Sequence, residues 1–521
     1  MVLELKKSIM KACKQCGFEF EIPLEDRQYF EIHGINHPEY CRLCSWQRKL
    51  AWQNEYQIYK RKCDATGKTM VSVYKDDANC PVYEKEFWSG DEWVLPEMDY
   101  DESRPFFEQY WEFSKQVPRP STNRVGAENS EYAHLIFDSK SCYLSFQVFQ
   151  SENLIGCYRS VRLKDSANSF FCIDSELLCE CVNCSRGYNL KFSEDCENCS
   201  DSAFLYDCKS CKNCFMCWNL RNKEYYFKNE KFSKEEYERK IAEYNLALLE
   251  GQKKAKQEFE SLRGNFIAKA LRMINCENCY GDYLVGCKDC KHIYFSDGCR
   301  DSKSILRGTE DINSYDCVVG GKIELCYNLL QPGWCYMCAF NNNCNRCSAT
   351  YLSEMCTDCN ECTGCISLKR GKWCIFNKHY TEEEYNRLKK HIFEELRGDD
   401  GFEEFFDLAK SPFAYEETIA DLYFPKNEMK TVEENFGEDK CVLCGRISQA
   451  TEAEKKFYEK AGLALPDKCF SCRIMALARP YSVVKMGKIN CANCGEETMT
   501  GMSERVYQKV YCEKCYLGQV Y

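Results

Sequence analysis

The chain has 521 residues and a mass of 61.1 kDa, which is enough for several domains with a sizeable core. Its hydrophobic fraction of 44% and charged fraction of 29% are close to globular averages and exclude a largely disordered chain. The net charge is −11. There is no run of about 18 apolar residues and no basic-then-apolar leader, so we expect a cytoplasmic protein without a membrane span.

Cysteine is the unusual component, with 42 residues. Glutathione and thioredoxin keep cytosolic thiols reduced, so this composition predicts free thiols or metal-bound thiolates rather than disulfides. Zinc is the first hypothesis, because closed zinc sites are built from cysteine thiolates.

Twelve of the cysteines form three terminal quartets, each made of two C-x2-C pairs. The two pairs of each quartet are separated by a loop, whose length lets four thiolates meet at one structural zinc. Such a site has no open coordination position, so about three zinc ions with structural roles are predicted. Redox dithiols are the alternative for these pairs. The predicted ligands are Cys13, Cys16, Cys41, Cys44, Cys441, Cys444, Cys469, Cys472, Cys491, Cys494, Cys512 and Cys515.

The first two quartets have loops of equal length and enclose similar sequences. Each has an acidic, aromatic stretch that predicts a helix, residues 25–30 and 454–458, followed by Pro38 or Pro466 before the second pair. His37 lies in the first of these loops and is interpreted as a surface histidine, since four cysteines already complete the site. A run that begins at Cys63 resembles half of another ribbon, whose partner is reduced to Cys80; these two are left unassigned.

The other 28 cysteines lie between Cys142 and Cys374, and many are nine residues apart. Short, persistent periods are typical of solenoids, and we interpret nine residues as one side of a β-coil, with 18 or 27 residues per turn left open. The thiols are expected to stack as a ladder inside the coils. The alternative is that C-x2-C pairs of adjacent coils bind zinc or another soft metal.

A duplication underlies the middle of the chain. Six cysteines recur at a constant offset, and the same offset relates Asn229 to Asn377 and Tyr237 to Tyr385. Each copy ends in a capping box, which begins at Ser233 in the first and at Thr381 in the second. We expect a helix after each copy, because the last coil of a solenoid has an unpaired edge that needs a cover.

The predicted fold is mainly β: a cysteine-rich β-solenoid in two duplicated blocks with helical caps, flanked by small zinc ribbons. Residues 81–125 are aromatic and are expected to form a small core packed on the first coil. The first helical cap is expected to extend to about Leu271, and a further helical stretch is expected from Phe402 to Leu422. The predicted segments are 1–62 (ribbon and basic helix), 63–130 (partial ribbon and aromatic region), 131–231 (block 1), 232–274 (caps), 275–379 (block 2), 380–435 (caps), and 436–480 and 481–521 (ribbons).

One basic segment is a candidate nucleic-acid interface. Residues 1–75 carry a formal charge of +4 and residues 436–521 carry +3, which leaves −18 for residues 76–435. Because each zinc with four thiolates contributes −2, these ends fall to about +2 and −1. The run 46–62 keeps its basic character and is interpreted as a helix that offers cations for phosphates and aromatic rings for stacking. A solvated helix with inward-facing aromatics is the alternative. The candidate residues are Arg48, Lys49, Trp52, Tyr56, Tyr59, Lys60, Arg61 and Lys62.

Four runs resemble those of a family of uncharacterised cysteine-rich zinc-ribbon proteins of reduced-genome bacteria, and the resemblance covers nearly the whole chain. They are the N-terminal C-x2-C ribbon and residues 59–68, 103–109 and 219–226. The resemblance implies a repeat architecture and bound zinc, and it brings no assigned function. A CoA-transferase label sometimes attached to such proteins finds no support in these residues.

Motifs of enzyme chemistry are missing from the sequence. It contains no Walker-type loop, no G-x-G-x-x-G after a strand, no H-E-x-x-H and no G-x-S-x-G. We therefore predict a non-enzymatic, zinc-binding scaffold that docks on RNA or the ribosome through its terminal ribbons. A protein-only assembly scaffold and a thiol-based metal store are the alternatives.

Overall fold

The computed structural model is mainly β and contains the predicted solenoid. It describes residues 8–33, 36–309, 311–312, 314, 316–318, 338–397, 401–426, 440–482, 484–501 and 509–521. The chain forms two compact units and alternates between them. Unit 1 contains Met1–Asn54, Lys60–Ser121 and Arg272–Phe424, and unit 2 contains Glu55–Tyr59, Thr122–Leu271 and Pro425–Tyr521.

One turn of the solenoid is shorter than either predicted length. Successive coils pair in parallel, with Phe146 opposite Tyr158, Val161 opposite Ile173, and Ser200 opposite Lys212. A turn therefore spans twelve positions, and the predicted side of nine residues and both predicted turn lengths are wrong. The nine-residue spacing instead joins a thiol to a carbonyl of the next coil, as from Cys172 Sγ to the oxygen of Cys181 at 3.5 Å.

Each coil has four sides, because a corner occurs at every third residue. From Leu135 to Lys228, every third residue has a positive φ, between 45° and 66°. Asn and Asp occupy many of these corners, and they tolerate the left-handed conformation because their short polar side chains bond locally. Asn183, Asp195 and Asp207 are stacked examples, one coil apart.

The residue after each corner points into the solenoid. In block 1 these inward positions run in steps of three from Ser130 to Cys217, and all of them are buried. Only Ser, Ala, Ile, Cys, Val, Leu and Gly occur there. A coil this narrow accepts only small or slender side chains, so the inward ladder is built from short residues.

Inward serine and cysteine side chains also accept hydrogen bonds from backbone N–H groups inside the coil. The N–H of an inward residue donates to the side chain one coil earlier, as from Leu178 to Ser166 Oγ at 3.0 Å and from Cys211 to Cys199 Sγ at 3.4 Å. A buried N–H without an acceptor costs about 1–3 kcal/mol. Cysteine fits this position because its side chain is small and apolar, yet its thiol still accepts and donates weak hydrogen bonds.

Block 2 repeats this construction. Its inward positions run in steps of three from Leu284 to Cys317 and from Cys338 to Cys374. Its first coil is one residue shorter than the other coils in the described residues, because Met273 pairs with Leu284. The regular register begins where Gly281 lies opposite Ile293.

Both blocks close in the same way. Asn229, in the left-handed conformation, donates to the oxygen of Trp218 at 2.9 Å and accepts from its N–H at 3.0 Å. Asn377 makes the same two bonds to Ile366, each at 2.9 Å. The capping boxes at Ser233 and Thr381 follow directly and are confirmed.

The solenoid strands follow the coils in chain order. In block 1 they are Arg124–Val125, His134–Phe137, Lys140–Tyr143, Phe146–Phe149, Glu152–Ile155, Tyr158–Ala167, Ile173–Glu176, Tyr188–Lys191, Ser200–Tyr206, Lys212–Trp218, Glu224–Phe227 and Glu230–Lys231, and Ile267–Lys269 follows outside the solenoid. In block 2 they are Met273–Ile274, Tyr280–Val285, Lys291–Asp297, Ser348–Tyr351, Asn360–Thr363, Lys372–Ile375 and Lys378–His379, and the short strands Val82–Tyr83 and Arg119–Pro120 lie outside the solenoid.

The caps are less helical than expected. After block 1 the helices are Lys234–Ala242 and Leu249–Ser261, and a strand precedes Leu271. After block 2 the helix Glu382–Glu395 is followed by 3-10 turns at Gly401–Phe406, Leu408–Lys410 and Tyr415–Glu417, and by the helix Ile419–Tyr423. The predicted helix from Phe402 to Leu422 is thus mostly 3-10 turns. In the residues that the structure describes, no helix is long and apolar enough to cross a membrane.

The aromatic region before the solenoid forms the small core predicted for it, on the helices Lys85–Ser89 and Phe106–Ser114. Phe106, Tyr110 and Phe113 are fully buried and pack around Phe376. This places the core on the last coil of block 2 rather than on the first coil of block 1.

Candidate metal centres

The first quartet lies in a compact module at the N-terminus of unit 1. The strands Ile9–Ala12 and Glu19–Ile22 form a hairpin whose tight turn carries Cys13 and Cys16. Gly17 closes the turn with a φ of 71°, and its N–H donates to the oxygen of Cys13 at 2.9 Å. The predicted helix follows as Leu24–His33.

The second pair of this quartet is on a helix rather than on a second turn. Cys41 is the N-terminal cap of the helix Arg42–Leu50, and Cys44 lies in its first turn. The helix N-terminus places positive peptide dipoles toward the sulfurs, but burial outweighs this and raises the pKa of both Cys41 and Cys44. The helix gives this side of the site a rigid frame.

The second and third modules repeat this arrangement in unit 2. The turns after Cys441 and Cys491 close on Gly445 and Gly495, and Cys469 and Cys512 begin the helices Phe470–Ala478 and Glu513–Val520. The second module also contains the predicted helix, Glu452–Ala461. The third contains the strands Gly487–Asn490, Glu497–Thr500 and Lys509–Tyr511.

The four sulfur atoms of each quartet lie within 4.8 Å of one another. Typical separations are 3.8 Å between the Sγ atoms of Cys16 and Cys41, and 3.6 Å between those of Cys444 and Cys469. Sulfurs about 3.8 Å apart match a tetrahedron with Zn–S bonds of about 2.3 Å. All three predicted quartets therefore come together and could hold a metal ion.

Each quartet includes one cysteine whose pKa lies near or below neutrality. Burial opposes ionisation of Cys13, but N–H groups of Cys41, Cys16 and Gln15 outweigh it and lower its pKa to about 7. Burial likewise opposes ionisation of Cys491, and N–H groups lower its pKa to about 6.

In the second quartet, a hydrogen bond from Cys472 lowers the pKa of Cys469 to about 5. Burial, by contrast, raises the pKa of Cys41 to about 11. Each quartet thus has one ready thiolate, and a metal must displace protons from other members.

The modules use their remaining faces to pack on the solenoid blocks. In unit 1, Trp46 is fully buried, lies edge-on to Tyr294 at 5.8 Å, and donates to the oxygen of Ser304 at 3.2 Å. Lys49 is fully buried beside Asp316, with 3.0 Å between Nζ and Oδ1.

In unit 2, the second module inserts Tyr458 among the outer aromatics of block 1, where its hydroxyl accepts from Asn168 Nδ2. The third module places the hydroxyl of Tyr516 against Asp207 and Arg221 of the last coils. Its strand Lys509–Tyr511 pairs with Ile267–Lys269.

His37 lies outside the first quartet. Its ring contacts Phe30 edge-on at 6.0 Å, and it is half-buried. Burial lowers its pKa, so the neutral ring is favoured.

Cys63 lies in a fourth turn of the same construction. The strands Tyr59–Lys62 and Thr69–Ser72 flank it, and Gly67 closes the turn with a φ of 68°. Thr66 stands where the quartets have their second cysteine, and Cys63 Sγ accepts the N–H of Glu84 at 3.3 Å. This confirms the predicted half ribbon. In the described part of the chain, the only cysteine sets that fit a metal are the three quartets.

The solenoid thiols are mostly satisfied by the backbone. Cys181 Sγ donates to the oxygen of Leu190 at 3.4 Å, and Cys356 Sγ donates to that of Cys365 at 3.4 Å. Burial raises the pKa of Cys157 and Cys317, as expected for protonated thiols in an apolar interior. The packing ladder is therefore the better description of the deep thiols. Cys179 is an exception, because it faces outward into the aromatic cluster around Phe204.

The predicted basic helix is wrong beyond Leu50, where the helix ends. Residues 51–58 are irregular and Tyr59–Lys62 is a strand. Packing inside the two units removes most of the candidate residues from the surface.

Four candidates, Lys49, Trp52, Tyr56 and Arg61, are buried. Arg61 donates to both carboxylate oxygens of Asp64. Trp52 stacks on Trp111 at 5.7 Å.

Arg48 and Tyr59 are half-buried, and Arg48 lies over the Tyr40 ring at 4.2 Å. Only Lys60 and Lys62 of the candidates are exposed.

The structure adds residues that sequence reasoning missed. The pair Asn229 and Asn377 closes the blocks, and Tyr458 and Tyr516 join modules to block 1. The signal for the asparagines was present in the constant offset between the two copies. The signal for the length of the coil was that Cys, Ser or Leu recurs at every third position, often directly after an Asn or Asp.

Comparisons with known proteins bring little. No family model matches the chain, and no curated protein matches it. One solved structure that aligns with it is a protein from Desulfovibrio desulfuricans G20 that was provisionally named an acetyltransferase. The identity is 11%, the alignment covers 44% of this chain and 66% of that chain, and the TM-score is 0.11. A likeness this slight carries no argument about fold or activity.

Proposed function

We propose that this protein is a non-enzymatic scaffold in which three zinc ions hold small modules against a rigid solenoid. The single observation that carries the proposal is that each quartet brings four sulfurs within 4.8 Å on a module whose other face packs on a block. Four thiolates fill a zinc ion's coordination sphere, so the ion organises the module and leaves no position for a substrate.

The solenoid supports the same proposal. Its coils are tied to one another by parallel pairing and by inward Ser and Cys bonds, which leave little freedom for the opening and closing that many catalytic sites need. The outer faces of stacked coils form long, flat surfaces of the kind that solenoid proteins use to bind partners.

Metal content tests this proposal. Native mass spectrometry of protein purified from cells without added metal is expected to show three zinc ions per chain. Cys13→Ser, Cys469→Ser and Cys491→Ser are each expected to lose one ion. A metal-free native chain that keeps its fold would contradict the structural role, and a much larger zinc content would favour metal storage.

A second candidate function is docking on RNA or the ribosome, and it now depends on one hairpin. Lys60 and Lys62 are exposed on the same face of the strand Tyr59–Lys62, and Lys68, at the tip, has a side chain that is 71% exposed. Three lysines at one edge suit phosphate groups, whose binding weakens with salt because counterions are released.

The test is binding of structured RNA over a salt series. Replacement of Lys60, Lys62 and Lys68 by glutamine is expected to weaken binding and to flatten its salt dependence. The matched control replaces three exposed lysines on helices, Lys234, Lys390 and Lys455, and should change little. Equal binding by both variants would contradict this site, and partners recovered without nucleic acid would favour a protein-only scaffold.

A further inference from the structure

One side of block 1 carries apolar residues that are open to solvent. The outward residues of five successive coils on this side pair in parallel from one coil to the next. They are Val125, Phe137, Phe149, Val161 and Ile173, and we call them the apolar strip. Val125 is 52% exposed and Phe149 is 42% exposed, and the other three residues are half-buried.

The same side of the block becomes polar where the strip ends. The parallel pairing continues through four more outward residues, which are Ser185, Glu197, Lys209 and Arg221. The equivalent side of block 2 has apolar residues only at Ile274 and Val285, and it then changes to Asp297 and Thr309. The coil geometry therefore accepts polar residues at these positions. Five apolar residues in succession on a solvent-facing side indicate a surface that is covered in an assembly.

The strip is flat and held in place by the coils. The rings of Phe137 and Phe149 stack with their centroids 4.8 Å apart and their planes inclined by 9°. The N–H of Gln150 donates to the oxygen of Phe137 at 2.9 Å, which ties one coil to the next. Since adjacent strands are about 4.8 Å apart, the five residues form a ridge about 19 Å long. A flat ridge of this kind suits packing against a second sheet face.

A row of corner residues borders the strip and carries charges of both signs. The corners that follow the five strip residues are Gly126, Asp138, Gln150, Arg162 and Asp174. Asp138 and Arg162 lie one coil to either side of Gln150, and both are exposed. Arg162 donates to Asp174 at 2.9 Å, and half of its side chain is still open to solvent. The row is complementary to itself, because its reversal about Gln150 exchanges the positions of Asp138 and Arg162.

We propose that the apolar strip is the interface of a symmetric dimer of this chain. The two-fold axis passes between the two faces at the level of Phe149 and runs across the solenoid, so the two strips lie antiparallel. Phe149 then meets the partner's Phe149, and Phe137 meets the partner's Val161. A two-fold interface uses the same patch on both subunits, so the patch must complement itself.

The bordering charges fix the register of the two strips. With the axis at Phe149, Asp138 lies opposite the partner's Arg162, and the symmetry forms this pair twice. A shift by one coil toward the C-terminus would set Asp138 against the partner's Asp174, and like charges at an interface are unfavourable. The opposite shift leaves Asp138 and Arg162 without a charged counterpart. This self-complementarity favours a second copy of the chain over an unrelated protein.

The length of the strip sets the strength of the dimer. A ridge one sheet side wide buries less than the roughly 800 Å² per partner of a typical stable complex. We therefore expect a dimer with a dissociation constant on the order of 10 μM.

The experiment is sedimentation velocity of the zinc-loaded, full-length chain over protein concentrations from about 1 to about 200 μM. A reducing agent excludes dimers that are linked by disulfides. The wild-type chain is expected to pass from monomer to dimer over this range.

A substitution at the axis tests the apolar contact. Phe149→Glu is expected to weaken the dimer about tenfold or more, because two carboxylates then meet at the centre of the interface. The matched control is Tyr188→Glu, which changes a ring that is 47% exposed on another side of block 1 and should leave the dimer intact. Circular dichroism and thermal unfolding check that both variants are folded.

An exchange of charges tests the register. Asp138→Arg and Arg162→Asp are each expected to weaken the dimer about threefold, because each sets like charges opposite one another. The two substitutions together restore the pair with its signs reversed and should return association to the wild-type level. An unspecific apolar contact would not give this recovery.

Three results would overturn the proposal. They are a monomer at every concentration, equal association by the Phe149→Glu and Tyr188→Glu variants, and no recovery in the charge-exchanged double variant. A different protein bound at the strip of a monomeric chain would overturn it as well. The dimer does not depend on the role of zinc, so the zinc count tests the scaffold proposal separately.

Discussion

Block 1 and block 2 share their C-terminal ends down to single hydrogen bonds, since Asn229 and Asn377 bond the equivalent peptide unit of each copy. Their N-terminal ends differ: block 1 opens with small residues and a coil of regular length, and block 2 opens with sulfur and a coil that is one residue shorter. The closing end protects a sheet edge and tolerates little change.

The two units also differ in how modules are attached. Block 2 carries the first module, and block 1 carries the second and third. The largest expected effect therefore comes from metal ligands, because apparent binding free energies for structural zinc are about 10–16 kcal/mol. Cys41→Ser is expected to unfold the first module and to raise hydrogen exchange in unit 1 only, whereas Cys469→Ser should raise it in unit 2 only.

Exchange mapped by mass spectrometry measures this difference. The control is Cys63→Ser, which changes a turn of the same construction outside any quartet. Loss of protection throughout the chain in all three variants would contradict separate attachment of the modules.

The C-terminal closure that both blocks share can be tested with one variant in each block. Asn229→Ala and Asn377→Ala each leave an N–H and a carbonyl of the preceding coil unpaired, which costs about 2–3 kcal/mol for the two bonds. Asn377→Ala also loses a hydrogen bond to the oxygen of Pro96 at 2.9 Å. Chemical denaturation should show a loss of stability for both variants, and a somewhat larger one for Asn377→Ala. A large loss in one block and none in the other would mean that only one of the closures stabilises its block.

The contribution of the inward cysteines to stability can likewise be tested with equivalent variants in the two blocks. Cys199 donates to the oxygen of Cys208 at 3.3 Å and accepts the N–H of Cys211 at 3.4 Å. Cys359 does the same with Leu368 and Gly371, at 3.3 and 3.4 Å. Replacement of either by alanine is expected to cost about 1–3 kcal/mol.

Replacement by serine, which keeps both bonds, is expected to cost less than about 1 kcal/mol. Thermal or urea unfolding compares the variants. If serine proves as costly as alanine, sulfur has a role beyond hydrogen bonding and packing, and the metal interpretation of the deep thiols gains support.

Unit 1 is also expected to show a pH response. Burial raises the pKa of Glu403 to about 8, so the folded protein holds a proton there that the unfolded chain releases near pH 4.5. Between these values the folded state binds more protons, and stability falls as pH rises, by up to about 1.4 kcal/mol per pH unit. Glu403→Gln removes the group and is expected to flatten the slope of unfolding free energy between pH 5 and 8.

The matched control is Glu404→Gln, which changes the neighbouring, half-buried carboxylate. A slope that survives in the Glu403→Gln variant would show that another group carries the response.

Local patterns in the sequence were enough for much of this architecture. The quartets, the capping boxes and the duplication were predictable because each depends on residues close together or on a constant offset, and the structure confirms them. The coil length was mistaken because cysteine marks only some of the inward positions; the steps of three become visible when Ser, Leu and Gly are counted with it.

The basic helix was mistaken for a different reason. Charge and aromatic content describe a surface only if the residues reach it, and here Asp316, distant in sequence, takes Lys49 into the interior while Trp111 covers Trp52. Those contacts depend on how block 2 and the aromatic core pack against the first module in the folded chain.

By itself the sequence determined that this is a repetitive, thiol-rich chain with three tetra-cysteine sites, because spacing along the backbone controls which sulfurs can meet. The tertiary structure alone decided which cations and thiols face solvent. Burial depends on packing between segments that are far apart in the chain, and spacing carries no information about it.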